Sequence, residues 1–98
     1  MKVAFSEQEK AELQTIGDYI AKDSPRRALE FIKKLRHEAR QIGEMPKAFP
    51  LVPRYEQYGI RRRSFGNYLI FYRVGDDGVY IVHILHGAMD YEALLFDA

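Results

Sequence analysis

The sequence predicts an α+β fold, a helical hairpin packed on a mostly antiparallel sheet, in the order β-α-α-β-β-β with a short C-terminal helix. Three observations carry that expectation. Two amphipathic stretches with apolar residues three and four apart fill the first half of the chain, separated only by Asp23-Ser24-Pro25. Tyr68 to Val74 and Val79 to Leu85 are rich in aromatic and β-branched residues and flank Gly75-Asp76-Asp77-Gly78, which reads as an antiparallel hairpin. Ile60 to Phe65 leads into the first of these runs through Gly66-Asn67, a second two-residue turn signal, and completes a three-stranded meander.

Taken in order, Lys2 to Phe5 is a brief apolar strand. Ser6-Glu7-Gln8-Glu9 follows, in which Ser6 can cap a helix and Glu9 can reach back to it. Leu13, Ile16 and Ile20, flanked by Tyr19, mark the buried face of that first helix, which ends near Lys22. Ser24 then serves as an N-cap and Pro25 as the first residue of a second helix, where its missing N–H costs nothing. That helix runs to about Ile42 on a stripe of Ala28, Ile32, Leu35, Ala39 and Ile42, with Gly43 at the position of a C-cap. From Glu44 to Gly59, Pro46, Pro50 and Pro53 argue against regular structure, and Phe49, Leu51, Val52, Tyr55 and Tyr58 are expected to pin the connector to the body. After the hairpin, His86-Gly87-Ala88-Met89 breaks the last strand, and Asp90 caps one or two helical turns that close the chain at Phe96.

Ninety-eight residues suffice for one domain, 1–98, with a modest core. The absence of cysteine excludes disulfides, thiolate metal sites and cysteine nucleophiles. No segment is long and apolar enough to span a bilayer and the N-terminus lacks an apolar signal core, so a cytoplasmic location and no membrane partner are expected. Net charge is +1 but unevenly spread. Pro46 to Arg73 holds six basic residues against Glu56 alone, whereas Val74 to Ala98 holds five acids and no Lys or Arg. The basic stretch suits a polyanion or an acidic partner; a strand edge kept from aggregating by its charges is the alternative.

Side chains alternate along a strand, so Arg61 and Arg63 share one face and Arg62 takes the other with Ile60. If Ile60 points at the helices, Arg62 follows it and needs a carboxylate or carbonyl partner, while Arg61 and Arg63 join Arg73 on an exposed basic face. His83 and His86 lie three apart on a strand, hence on opposite faces, which is poor geometry for a shared metal; no metal or cofactor is expected. Either imidazole can serve as a general base, although a strand-end histidine bonded to a backbone carbonyl is the commoner arrangement. Tyr68, Tyr72 and Tyr80 are either stacking platforms for bases or core aromatics.

Several of these stretches resemble the ParE branch of the RelE/ParE superfamily of toxins from bacterial type II toxin–antitoxin systems. The resemblance covers nearly the whole chain. Its most specific parts are Asn67-Tyr68-Leu69-Ile70-Phe71-Tyr72-Arg73-Val74 and, about ten residues later, Ile84-Leu85-His86-Gly87-Ala88. Leu13, Ile16, Tyr19-Ile20-Ala21, Ser24-Pro25 and Gly59-Ile60-Arg61 add to it. The resemblance implies a RelE/ParE-like toxin domain neutralised by a ParD-like antitoxin and acting on DNA gyrase, at its GyrA subunit, in plasmid or chromosome maintenance. RelE relatives instead cut mRNA in the ribosomal A site, which on this chain would engage Arg61, Arg63, Tyr72 and His86 around the phosphate. Two departures disfavour cleavage: Leu69 stands where ribonuclease relatives carry arginine, and Met89 where both branches often do. A degenerate toxin that retains only antitoxin binding is the third reading. For the antitoxin, an amphipathic helix is expected in a groove beside the helical hairpin, near Leu13, Ile16 and Ile20, with an acidic tail near Arg61, Arg63 and Arg73.

Overall fold

The structure, a computed structural model, describes residues 1–96, so Asp97 of the acidic C-terminal stretch lies outside the described residues. The elements follow the expected order: β1 (Lys2–Phe5), α1 (Glu7–Ala21), α2 (Pro25–Gln41), β2 (Ile60–Phe65), β3 (Tyr68–Val74), β4 (Gly78–His86) and α3 (Tyr91–Phe96). The strands form one sheet in the order β1-β4-β3-β2, with β1 parallel to β4 and the other two pairings antiparallel. No described helix is long and apolar enough to cross a membrane.

Local chemistry explains where the helices begin and end. Ser6 Oγ accepts from the Glu9 backbone N–H at 2.9 Å. The reciprocal half of that capping box is not made, because the Glu9 side chain turns inward to the guanidinium of Arg36. Ser24 accepts from the Arg27 N–H at 3.2 Å and Pro25 opens α2. The hairpin closes tightly at Gly17, where a Cβ would stand 2.8 Å from Ile32 Cδ1.

Gly43 has a different purpose from the expected C-cap. The chain passes from α2 into a 3-10 turn over Ile42–Glu44, and Gly43 does not take the left-handed φ of a helix-terminating glycine. It is small because the start of β1 lies on it: the Met1 ammonium donates to Gly43 O at 3.0 Å, and a Cβ would stand 2.5 Å from Met1 O. The obstacle is backbone, which cannot swing aside as a side-chain tip can. Gly43→Ala is therefore expected to lower stability by about 1–2 kcal/mol in urea unfolding, whereas an unchanged midpoint would mean that β1 shifts freely.

The sheet is covered on both faces. Ile70, Tyr72, Val79, Ile81 and Ile84 meet Leu13, Leu35, Ala39 and Ile42 in the core beneath the helices. On the other face Phe71 and Leu85 pack against Val52 and Phe96, with Ile60, Leu69, Val82 and Tyr91 at the margin. That outer layer consists of α3 and the proline-rich connector, which holds more regular structure than its prolines suggest. Val52 N–H donates to Ile60 O at 2.9 Å, Leu51 bridges to Arg61, and Glu56–Tyr58 forms a 3-10 turn. Val52 is fully buried and Tyr55 stacks on Phe96, so both pin the connector as expected, while Tyr58 stays half-exposed.

One irregularity matters below. Tyr72 pairs with Ile81 but Phe71 pairs with His83, so Val82 is an extra residue, a β-bulge in β4. At the other turn, Gly66 takes φ +58° and supplies the left-handed conformation that the β2–β3 connection requires.

Candidate functional site

Register places the arginines. Arg61 pairs with Tyr72 and Arg63 with Ile70, both inward-facing residues of β3, so the two side chains lie on the helix face. Ile60 belongs to the outer cluster, and Arg62 accompanies it there. The condition set for an exposed Arg61–Arg63 face is thus reversed: these two lie under the helical layer, while Arg73 is exposed on the outer face over the Tyr80 ring, 5.7 Å from its centroid. The three arginines expected to form one basic surface stand on opposite faces of the sheet. Arg62 also finds a partner other than those foreseen, the Tyr91 hydroxyl at 2.6 Å.

Arg61, Arg63 and Tyr72 do come together, but each is turned toward protein. Arg61 donates to Phe49 O at 2.7 Å. Arg63 pairs with the Glu38 carboxylate at 2.5 Å and lies over the Phe49 ring. Tyr72 is wholly buried and its hydroxyl donates to Pro46 O at 2.8 Å. Burial raises the Tyr72 hydroxyl above its ordinary value of 10.0, and the nearby Arg61 guanidinium only partly opposes this. The phenol therefore stays neutral and acts as a donor. These groups clamp residues 46–49 to the sheet. His86 is not with them: it pairs with Tyr68, four residues from Tyr72 along β3, or roughly 13 Å away. Its Nδ1 accepts the Ala88 N–H at 3.0 Å, so the backbone bond is to an amide rather than a carbonyl.

Of the tyrosines weighed as stacking platforms, Tyr72 is core and Tyr68 meets Phe31 and His86 edge-on, while Tyr80 lies under Arg73 across the sheet. The three do not form one surface.

An open apolar groove arises from unequal strands. β1 pairs only with Gly78–Ile81, whereas β4 continues to His86, so Val82–His86 has no strand neighbour on that side. α1 crosses the gap instead. Ser6 Oγ donates to Val82 O at 2.7 Å, and Glu12 Oε1 accepts the Ile84 N–H at 2.9 Å. Beyond Glu12 a groove of about 450 Å³ opens between α1 and the end of β4, lined by Ile16, Tyr19, Tyr68, Ile84, His86 and Met89 among others. Tyr19 is 69% and Met89 42% exposed, large apolar surfaces for a small domain. Of the helix residues expected to receive a partner, Ile16 lines this groove, Leu13 is buried in the core, and Ile20 lies outside the lining. Tyr19, Tyr68 and Met89 were not singled out for it; the signal for Tyr19 is its place beside the buried stripe rather than on it.

A helical hairpin on one face of a four-stranded sheet, with an open apolar groove at the sheet's edge, defines an α+β protein with the kind of exposed surface that marks interaction sites in proteins generally. More particularly, the chain is a member of the family of ParE toxins of type II toxin–antitoxin systems, parDE, whose profile it matches over residues 3–91. Among solved structures it is similar to one described as the chromosomal ParDE TA system from P. aeruginosa, with a TM-score of 0.72 at 18% identity, covering 88% of this chain and 95% of that one. At that identity the likeness speaks for the fold. No curated protein matches the sequence significantly.

Proposed function

We propose that this chain is a non-enzymatic toxin that poisons DNA gyrase at its GyrA subunit and is held inactive by a ParD-like antitoxin. The observation that carries the reading is its family membership over residues 3–91. The geometry of the alternative supports it too. A ribonuclease needs cations and a proton-transfer group free to meet a phosphate, and here Arg61, Arg63 and Tyr72 are committed to Phe49 O, Glu38 and Pro46 O. Leu69 packs at the outer cluster and Met89 in the groove, so both positions lacking arginine are apolar surroundings. In this reading an amphipathic antitoxin helix fills the groove over Ile16, Tyr19 and Met89. Of the three arginines considered for its acidic tail, Arg73 is the one whose side chain is exposed.

The test is purified gyrase with this protein added, with and without the product of the neighbouring gene. Trapped cleaved DNA that the neighbour reverses is the expected result. Unchanged supercoiling with no trapped DNA would overturn the gyrase reading, and A-site cuts in primer-extension mapping would install the ribonuclease instead. Growth arrest on expression without antitoxin is expected as well, and a normal growth curve would mark a degenerate toxin.

A further inference from the structure

On the face of the sheet away from α1 and α2, we infer a second binding site, a cleft that accepts a nucleoside phosphate between Arg73, His83 and the Tyr58 ring. The cleft measures about 320 Å³, and its apolar walls come from Ile60, Val82 and Leu95. Regular alternation would send Val82 and His83 to opposite faces. The bulge in β4 lets these neighbours line one cleft, the re-aiming of a side chain for which bulges are used beside functional sites.

The polar groups suit the two ends of such a ligand, His83 a sugar hydroxyl and Arg73 the phosphate. Glu12 lies 2.6 Å from His83 Nδ1, and a carboxylate only accepts, so the ring proton is held at Nδ1. Nε2 then carries the lone pair and can accept from a ribose hydroxyl. Arg73 makes no ion pair among the described residues, and no described carboxylate lines the cleft. A guanidinium with two parallel donors fits phosphate oxygens. The cleft is larger than a bare inorganic ion fills, and the half-exposed Tyr58 offers a ring on which a base can stack. The same chemistry comes from a free nucleotide or from the phosphorylated end of a nucleic-acid strand.

Calorimetry on the full chain separates these, using AMP, adenosine, inorganic phosphate and a 5′-phosphorylated single-stranded hexanucleotide. AMP is expected to bind, with adenosine and inorganic phosphate each about tenfold weaker or more. Arg73→Gln should weaken AMP about tenfold while the melting temperature holds, since the side chain is exposed, and Arg26→Gln on α2 should leave it unchanged. His83→Gln should act in the same direction as Arg73→Gln, and the latter keeps the test valid if loss of the Glu12 contact unsettles the fold. A hexanucleotide tighter than AMP assigns the site to a strand end, and an equal or weaker one to the free nucleotide. Adenosine binding as well as AMP, AMP binding indifferent to Arg73→Gln, or no binding of any phosphate at millimolar concentration overturns the inference. Gyrase is absent from the assay, so this inference and the toxin reading fail separately.

Discussion

Arg36→Met is expected to lower the stability of the chain by about 3–5 kcal/mol, because it strands a buried carboxylate. Glu9 has no exposed surface, and its Oε2 is held by the Arg36 guanidinium. Among the described residues its Oε1 has no hydrogen-bond partner, and Arg36 is the one group there that compensates the charge. The guanidinium is fixed in turn over the Phe5 ring, 4.0 Å from the centroid, so β1, α1 and α2 meet at this pair. Small domains are stable by only about 5–15 kcal/mol in total, and the variant should approach unfolding at 37 °C. The pair itself is not the source of the large number. Both desolvation and attraction are large inside a protein and nearly cancel, whereas removing one partner leaves desolvation unopposed. Glu9→Leu combined with Arg36→Met is therefore expected to recover most of the loss in urea unfolding. If the double variant is as unstable as Arg36→Met alone, the damage comes from lost packing on Phe5 rather than from the orphaned charge.

That pair also shows where sequence reasoning reaches its end. Helices, hairpin and strand limits were legible because caps, turn residues and periodicity are local, and β2 and β3 fall at the expected residues. Ser6 and Glu9 have the capping-box spacing, but a partner 27 residues away decided what Glu9 does. The faces of β2 were illegible for a specific reason. The strand carries Ile60 at one parity and Phe65 at the other, so apolar content does not say which set points inward. Packing decided it: Phe65 joins the helical core and Ile60 the outer cluster, which carries Arg61 and Arg63 inward. The bulge at Val82 has no glycine to announce it. The groove, by contrast, was within reach. A four-residue β1 beside a longer β4 leaves part of an edge uncovered, a gap that follows from the strand lengths once β1 is seen to pair with β4.

That uncovered edge sets up the second large effect. Tyr19→Ala should weaken antitoxin binding thirtyfold or more, about 2 kcal/mol, the loss expected when an aromatic anchor at the centre of an interface is truncated. With 69% of its surface exposed, Tyr19 contributes little to the free fold, and the melting temperature should hold. Met45 is the control: also an exposed apolar side chain, at 62%, but outside the lining of the groove and of the Arg73 cleft, so Met45→Ala should leave antitoxin affinity unchanged. Gyrase poisoning by Tyr19→Ala separates two arrangements. If poisoning persists while neutralisation fails, antitoxin and gyrase use different surfaces, and the antitoxin acts by remodelling the toxin or by bulk. If both are lost together, the groove is shared and neutralisation is direct competition. Antitoxin affinity unaffected by Tyr19→Ala would remove the groove from the interface, because no partner helix lying between α1 and the end of β4 can avoid that ring.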